Sequence, residues 1–284
     1  MAIEHPGAPA RSIFENRPDS KAEALRDLAE LWAYREVVFA FAARTVRVRY
    51  KESFLGVLWV VLQPLALFIP FVIVLGRVAH IKGGGVPYAA FAAAVVVPWQ
   101  FVANALSTGS LALVGEGPLV RKVYFPRSAP VAGAVLAAGF DLAVGSVLSV
   151  ILVAVLGGHV RATVLLLPVM IVPLVVVAFA MSLVLAGLYV HYRDIRFVLP
   201  LVTQVLLYAS PIAYPITVIP HRWQLAYCFL NPLAGPLDAI RRCVALGQAP
   251  HWSYVGASVA TTAVVAVVAL AAFGRLQSDV ADLV

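Results

Sequence analysis

The sequence predicts an all-α integral membrane protein with six transmembrane helices. Hydrophobic residues make up 62% of its 284 residues and charged residues only 12%, whereas a soluble domain is nearer half apolar and a quarter charged. The mean hydropathy of +0.92 agrees with this class. The apolar residues are gathered into long runs, and most have room for the roughly 20 residues that a helix needs to cross a bilayer.

Two segments precede the first apolar run. Residues 1–20 mix Pro, Ser, Arg and Asp without periodicity, which predicts a flexible cytoplasmic tail rather than a secretory leader. Residues 21–53 follow a helical period, with Trp32 and Phe39 on an apolar stripe and Arg26 on the opposite side. This pattern predicts an amphipathic helix whose stripe lies either in the membrane interface or against the rest of the protein.

The transmembrane domain is predicted to cover residues 54–275. Loops rich in Gly, Pro or charge separate its apolar runs. The six runs cover about 54–75, 88–114, 128–156, 162–190, 197–213 and 252–273. Prolines interrupt residues 214–251 at short intervals, so this stretch is not predicted to span the membrane. Residues 276–284 form a predicted cytoplasmic C-terminal tail.

The distribution of Lys and Arg predicts the orientation of the six runs. Four cations, Arg44, Arg47, Arg49 and Lys51, stand directly before the first run. If this end is cytoplasmic, the cytoplasmic segments carry 15 Lys and Arg and the outer segments carry six. Because cationic loops stay on the cytoplasmic side, we expect both termini to lie in the cytoplasm.

Several function classes lack their characteristic residues. No GxxxxGK[ST] phosphate loop occurs, so we expect this chain to bind neither ATP nor its magnesium. No HExxH motif, metal-ligand spacing or catalytic Ser–His or Cys–His arrangement is evident, so we expect no metal, no cofactor and no enzymatic activity. The cations behind the net charge of +7 flank apolar runs, which indicates lipid headgroups rather than nucleic acid.

Asp141 is the one ionisable residue near the middle of an apolar run. An ion-coupled carrier would depend on such a group. The alternative, which we favour, is a carboxyl group that faces the bundle interior and is hydrogen-bonded or protonated. The two cysteines, Cys228 and Cys243, are expected to be free and mostly buried.

Amide and aromatic side chains within the apolar runs are candidates for a translocation path. Amides are costly in lipid and aromatic rings pack on the apolar faces of sugars, so this combination suits a glycan. The alternative is that the aromatics form interfacial belts or face lipid. The candidates are Trp59, Gln63, Trp99, Gln100, Asn104, Gln204 and Tyr208.

The basic loop between the second and third runs is a candidate protein interface. Proline stands near both of its ends, which predicts a short helix that exposes aromatic and cationic side chains. Such side chains are enriched where proteins bind one another; the alternative is an ordinary cationic loop. The candidates are Pro118, Leu119, Arg121, Lys122, Tyr124, Phe125 and Arg127.

Seven short segments form a combination that is more specific than any one of them. They are RTVRVRYKESFLG (44–56), LQP (62–64), VPW (97–99), VRKVYFPR (120–127), YVHYRDIRFV (189–198), SPIAYP (210–215) and NP (231–232). With these segments the chain resembles ABC-2 type permeases, and more narrowly the exporters of O-antigen, teichoic acid and related polysaccharides. The resemblance covers about residues 25–275.

This resemblance implies a homodimer of permeases with two separate ATPase subunits, which bind the ATP and Mg, in the inner membrane of a bacterium. It implies an interface helix at 21–51, a coupling helix at 117–127 and re-entrant gate helices at 215–247. The implied gate residues are Pro211, Tyr214, Pro215, Asn231 and Pro232.

The implied substrate is a lipid-linked polysaccharide that starts at the cytoplasmic leaflet. A helix places Arg44, Arg47 and Lys51 on one side and Arg49 on the other, so the first three are the candidates for the pyrophosphate headgroup. The alternative is that they only anchor the chain to lipid. Rival functions are export of a lipid or drug by an ABC-2 permease and a membrane enzyme acting on polyprenyl-phosphate sugars.

Overall fold

A computed structural model of the chain describes residues 29–51, 53–81, 83–116 and 124–276. Within these ranges the regular structure is helical throughout and contains no β-strand. The predicted N-terminal tail, the start of the amphipathic helix and residues 277–284 lie outside the described residues. The all-α class is therefore confirmed for the part of the chain that can be judged.

The amphipathic helix is present, and two of its faces have different surroundings. Residues 29–33 are helical, a turn follows at Tyr34, and helix α1 covers Arg35–Lys51. The predicted stripe is exposed, since Trp32 is 75% and Phe39 60% accessible. A different face, with Phe41 and Ala42, is buried against the bundle. The helix thus packs on the bundle with one face and leaves its predicted apolar stripe exposed on another.

Within the described residues, five helices are long and apolar enough to cross a membrane. Helix α2 (Trp59–Phe71) passes directly into a π-helical turn, Val72–Val78, just after Pro70, which cannot donate a backbone hydrogen bond. The other four are α3 (Tyr88–Gly115), α4 (Ala129–Val155), α5 (Leu167–His191, with a 3₁₀ turn at Ala162–Leu166) and α9 (Trp252–Leu276). Their bounds lie within a few residues of the predicted runs, apart from the start of α2.

The predicted fifth span is shorter than expected. Helix α6 covers only Ile195–Ala209, 15 residues, and its chain leaves the helix at Ser210-Pro211. At a rise of about 1.5 Å per residue it is too short to cross a hydrocarbon core of about 30 Å. Among the described residues, five helices are therefore long enough to span a membrane and α6 is a shorter apolar helix, so the count of six transmembrane helices stays a prediction.

Helix α3 is the centre of the bundle. In its most apolar stretch 78% of the residues are buried, against 6% in the α2 span. It packs most extensively on α4 and α5. The contact with α5 is close because Gly109 has no side chain: a Cβ there would lie 2.8 Å from that of Ser182. Because so little of its span is buried, helix α2 is peripheral in the protomer.

Two short helices lie between α6 and α9. Helix α7 covers His221–Leu230, and α8 covers Ala234–Arg241 and continues as a π turn, Arg242–Leu246. Every residue of α8 is buried. Gly235 permits this, since a Cβ there would lie 2.3 Å from a backbone oxygen of α9. The two short helices fit the predicted gate region, whose re-entrant course stays a prediction.

Candidate functional site

The four cations at the end of α1 have different surroundings. Arg44 Nη1 donates to both carboxylate oxygens of Glu116, at the end of α3, over 2.7 Å. Arg47 and Lys51 are exposed, and neither forms an ion pair with any residue that the structure describes. The predicted headgroup residues therefore lie on one side of α1, and of the three only Arg47 and Lys51 form no ion pair with a described residue.

Arg49 turns to the bundle and binds Asp141. Its Nη1 donates to Oδ2 of that carboxylate, and the hydroxyl of Tyr50 donates to Oδ1. Burial, together with the hydrogen bond to Asp141, raises the pKa of Tyr50 to about 12, so it remains a donor at physiological pH. The expectation that Asp141 is hydrogen-bonded inside the bundle is confirmed, and its partners come from α1.

Three of the predicted path amides come together beside this carboxylate. The Asn104 amide donates to Gln63 over 3.5 Å, and the Gln100 amide donates to Asn104 over 3.4 Å. A small cavity between α2, α3 and α4 is lined by these three side chains and by Asp141. We call Gln63, Gln100 and Asn104 the amide cluster. It places neutral donors and acceptors at the level of the last turn of α1.

The other predicted path residues lie apart from the amide cluster. Trp99 is 3% exposed and packs in the main core, so it is removed from the candidate path. Trp59 is half-exposed near the start of α2. Gln204 and Tyr208 lie on the open face of α6. An amide on an open apolar face is costly in lipid, which marks that face as one that meets water or protein.

The coupling segment, residues 117–127, is described only from Tyr124 onward. The predicted residues Pro118, Leu119, Arg121 and Lys122 lie outside the described residues. Tyr124 is 74% exposed and makes an edge contact with Tyr34. The expectation that Phe125 is exposed was wrong: it is buried against Phe41 of α1, with ring centroids 5.4 Å apart. Arg127, partly exposed, follows at the start of α4.

The predicted gate residues gather around the break after α6. Asn231 stands between α7 and α8, and its amide donates to Ala209 O and to Ser210 Oγ, both over 3.0 Å. The hydroxyl of Tyr227 also donates to Ala209 O, over 2.6 Å. The carbonyl of Ala209, which α6 leaves unpaired at its end, is thereby satisfied by Tyr227 of α7 and by Asn231 in the turn that follows it.

Arg241 completes this arrangement and was missed at the sequence level. Its guanidinium is fully buried and donates to the carbonyls of Pro211, Ile212 and Tyr214, over 2.5, 2.9 and 3.3 Å. It also lies 3.9 Å from the ring centroid of Phe91. Its Nε finds no hydrogen-bond partner among the described residues. One side chain of α8 thus holds the gate segment, residues 210–215, against α3.

The two cysteines of this region do not form a disulfide. Cys228 on α7 and Cys243 in the turn after α8 are both free and buried, as expected. Within the residues that the structure describes, no cluster of His, Cys, Asp or Glu is arranged to hold a metal ion.

Comparisons with known proteins agree with this architecture. A family model described as "ABC-2 type transporter" matches residues 36–244. Two O-antigen export system permease proteins RfbA of Klebsiella pneumoniae are 24% and 23% identical over 252 residues, which is 87% of this chain and 95% of each relative. The protein of that name from Myxococcus xanthus is 25% identical over 69% of this chain and 74% of its own length. With the family model covering most of the multi-span bundle, this chain belongs to the ABC-2 type transporter family.

Proposed function

We propose that this chain is the membrane permease subunit of an ATP-driven exporter, and that it moves a lipid-linked polysaccharide from the cytoplasmic side across the inner membrane of a bacterium. The observation that carries the proposal is the match to O-antigen export permeases over 87% of the chain. The substrate resembles O-antigen or a related cell-envelope glycan. Two copies of the permease act with two ATPase subunits, which bind the ATP and Mg.

The surroundings of α1 support an anionic, lipid-anchored substrate. Arg47 and Lys51 are exposed cations with no described ion-pair partner, at the end of an interfacial helix. Cations at this position attract phosphate groups at the cytoplasmic leaflet. In the proposal they bind the pyrophosphate that links the lipid to the glycan. Arg44 contributes when it leaves Glu116, since an exposed ion pair is worth at most about 1 kcal/mol.

The amide cluster supports a sugar as the transported part. Gln63, Gln100 and Asn104 offer donors and acceptors to hydroxyl groups without a charge that would hold the substrate tightly. Gln63 is exposed on α2, the least buried of the long helices. In the proposal the exposed faces of α2 and α6 line a path that two permease copies share.

The coupling segment supports a cytoplasmic partner. Tyr124 presents a large exposed ring directly after the part of the loop that the structure leaves undescribed. In the proposal residues 117–127 dock on the ATPase, and helices α7 and α8 form the gate near the outer face. Arg241 holds this gate through the backbone carbonyls of Pro211, Ile212 and Tyr214, and Asn231 holds it through Ala209 O and Ser210 Oγ.

Reconstitution of the purified permease tests the proposal. We expect no ATP hydrolysis by this chain alone, and hydrolysis together with glycan export when its cognate ATPase subunit is added to the same vesicles. The matched control for contaminating activity is the same permease combined with an ATPase subunit whose phosphate-loop lysine is replaced. ATP hydrolysis by this chain alone, or a complex that hydrolyses ATP but exports no lipid-linked glycan, contradicts the proposal.

A further inference from the structure

The last turn of α1 is attached to the bundle by an ion pair inside the apolar region. Arg49 and Tyr50 both donate to Asp141, which lies 13 residues into the 27-residue helix α4. The side chains of Arg49 and Asp141 are 22% and 13% exposed. A carboxylate at this depth is costly without a partner, and two donors from one helical turn remove that cost.

The same turn directs Arg47 and Lys51, which form no ion pair with a described residue, to the opposite side of α1. Successive residues of a helix are rotated by about 100°, so Arg47 and Lys51 lie on one side and Arg49 nearly opposite them. The exposure agrees, since Arg47 and Lys51 are exposed and Arg49 is largely covered. The contact between Arg49 and Asp141 therefore fixes the direction in which the other two cations point.

Asp141 also links this turn to the amide cluster. Its side chain lines the small cavity that Gln63, Gln100 and Asn104 enclose. One carboxyl group is thus shared by α1, through Arg49 and Tyr50, and by the polar surface between α2, α3 and α4. Among the described residues Arg49 forms an ion pair with Asp141 alone, and Glu116 is bound to Arg44.

We infer that Asp141 is a positioning residue of the headgroup site: by binding Arg49 and Tyr50 it fixes the last turn of α1, so that Arg47 and Lys51 face an anionic pyrophosphate lipid beside the amide cluster. The inference rests on the proposed function for its ligand and on the described contacts for its geometry. It assigns Asp141 no role as a proton carrier, since both of its oxygens are held by donors of α1.

Hydrogen exchange tests the attachment of α1 without any substrate. The permease–ATPase complex in lipid nanodiscs is compared as wild type, Asp141→Asn and Arg49→Gln. We expect amide exchange in the last turns of α1 to become faster by about tenfold or more in both variants, because one partner of a covered ion pair is lost. Exchange in α9 is the internal reference, and Asp194→Asn, an exposed carboxylate, is the matched control.

A charge exchange separates the ion pair from general damage. The double variant Arg49→Asp with Asp141→Arg restores opposite charges at the same two positions. We expect it to return exchange in α1 towards the wild-type rate, which a helix disturbed by poor packing would not do. Unchanged exchange in Asp141→Asn, or no recovery in the double variant although it folds, overturns the inference.

Binding of a short-chain prenyl pyrophosphate tests the positioning role. Removing a negative charge near an anionic ligand strengthens binding by electrostatics alone. We expect the opposite, a loss of affinity in Asp141→Asn, since Arg47 and Lys51 are no longer held in place. Unchanged or tighter binding overturns the positioning role. A wild-type complex that binds no prenyl pyrophosphate contradicts the proposed headgroup site instead, and leaves the exchange result for α1 intact.

Discussion

Tyr124 and Phe125 are neighbours in the chain and have opposite surroundings. Tyr124 is 74% exposed, whereas Phe125 is 7% exposed and lies against Phe41 and Ala129. A mutation series on this loop therefore mixes two effects unless they are measured separately. Loss of Phe125 removes internal packing between α1 and the start of α4. Loss of Tyr124 removes a surface side chain.

We expect Phe125→Ala and Tyr124→Ala to separate these effects. Truncation of a buried Phe costs about 3–5 kcal/mol, so Phe125→Ala lowers the melting temperature of the purified permease. Tyr124→Ala lowers the melting temperature much less, because its ring is 74% exposed, and it weakens association with the ATPase, typically by about 2 kcal/mol for an aromatic anchor. Thermal unfolding and pull-down of the ATPase are the two measurements. Equal melting temperatures for the two variants, or undiminished ATPase binding by Tyr124→Ala, speaks against this assignment.

The cations of α1 allow a second test at single residues. We expect the double variant Arg47→Gln with Lys51→Gln to show less of the ATP hydrolysis that lipid-linked glycan stimulates. The reason is that both side chains are exposed cations of the proposed headgroup site and form no ion pair with a described residue. Arg193→Gln with Arg196→Gln removes the same charge from the loop before α6 and from the first turn of α6, and is the matched control. If the two double variants respond alike, the cations of α1 serve only as a topology and lipid anchor.

The gate region is best understood at the level of whole elements. The chain leaves α6 at Ser210 with carbonyls unpaired, and α7, α8 and α3 supply the donors. Tyr88 of α3 adds a hydrogen bond to Ala213 O over 2.8 Å. Because the donors come from α3, α7, α8 and the turn between α7 and α8, the position of the gate segment depends on how these elements pack. Movement of α8 alone would remove three of the donor contacts at once.

We expect Arg241→Gln to loosen this region. Several buried carbonyls lose their donor, and each unsatisfied group costs about 1–3 kcal/mol. Cys228 and Cys243 are built-in reporters, since both thiols are buried in the wild type. A maleimide added to the permease in nanodiscs should label them faster in Arg241→Gln. Arg242→Gln is the control, because the Nε of Arg242 donates to Ala249 O in an exposed contact. Equal labelling of both variants would contradict the assigned role of Arg241.

The elements were more predictable from the sequence than their contacts. Long apolar runs fixed most bounds of α3, α4, α5 and α9 to a few residues, because a bilayer dictates the length of a helix. The end of α6 was misjudged, since Pro211 and Ala213 are apolar and continue the run although the helix has ended. Hydropathy reports burial in lipid or protein, and it does not report where backbone hydrogen bonds stop.

The polar contacts were not predictable because they join distant parts of the chain. Arg49 and Asp141 are separated by 92 positions, and no local pattern pairs them. Arg241 was counted among the cations of the outer segments, although its side chain is fully buried. A charged residue on a short helix carries no sign of the carbonyls it will meet. The amide cluster was predictable in part, since Gln100 and Asn104 share one face of α3 at a spacing of four.

At the scale of the molecule, the exposed helix faces fall into two kinds. The open faces of α4 and α9 are apolar apart from Ser253 and Arg275 at the two ends of α9, with Val147 and Val267 among their most exposed residues, and suit contact with lipid. The open faces of α2 and α6 each carry a glutamine, Gln63 and Gln204. Because an amide is costly in lipid, the faces of α2 and α6 are the ones that protein or water covers in the assembled transporter.

Cysteine cross-linking distinguishes these two kinds of surface. In the proposed homodimer the faces of α2 and α6 meet their counterparts in the second copy, so Ile69→Cys on α2 together with Leu201→Cys on α6 should give a disulfide-linked dimer in native membranes under mild oxidation. The native thiols are buried and provide little background. Val147→Cys together with Val267→Cys, on faces of similar exposure, is the matched control and should remain monomeric. Cross-linking by the control pair alone would place the partner on α4 and α9, and would leave Gln63 and Gln204 without the covered surroundings that an amide in a membrane requires.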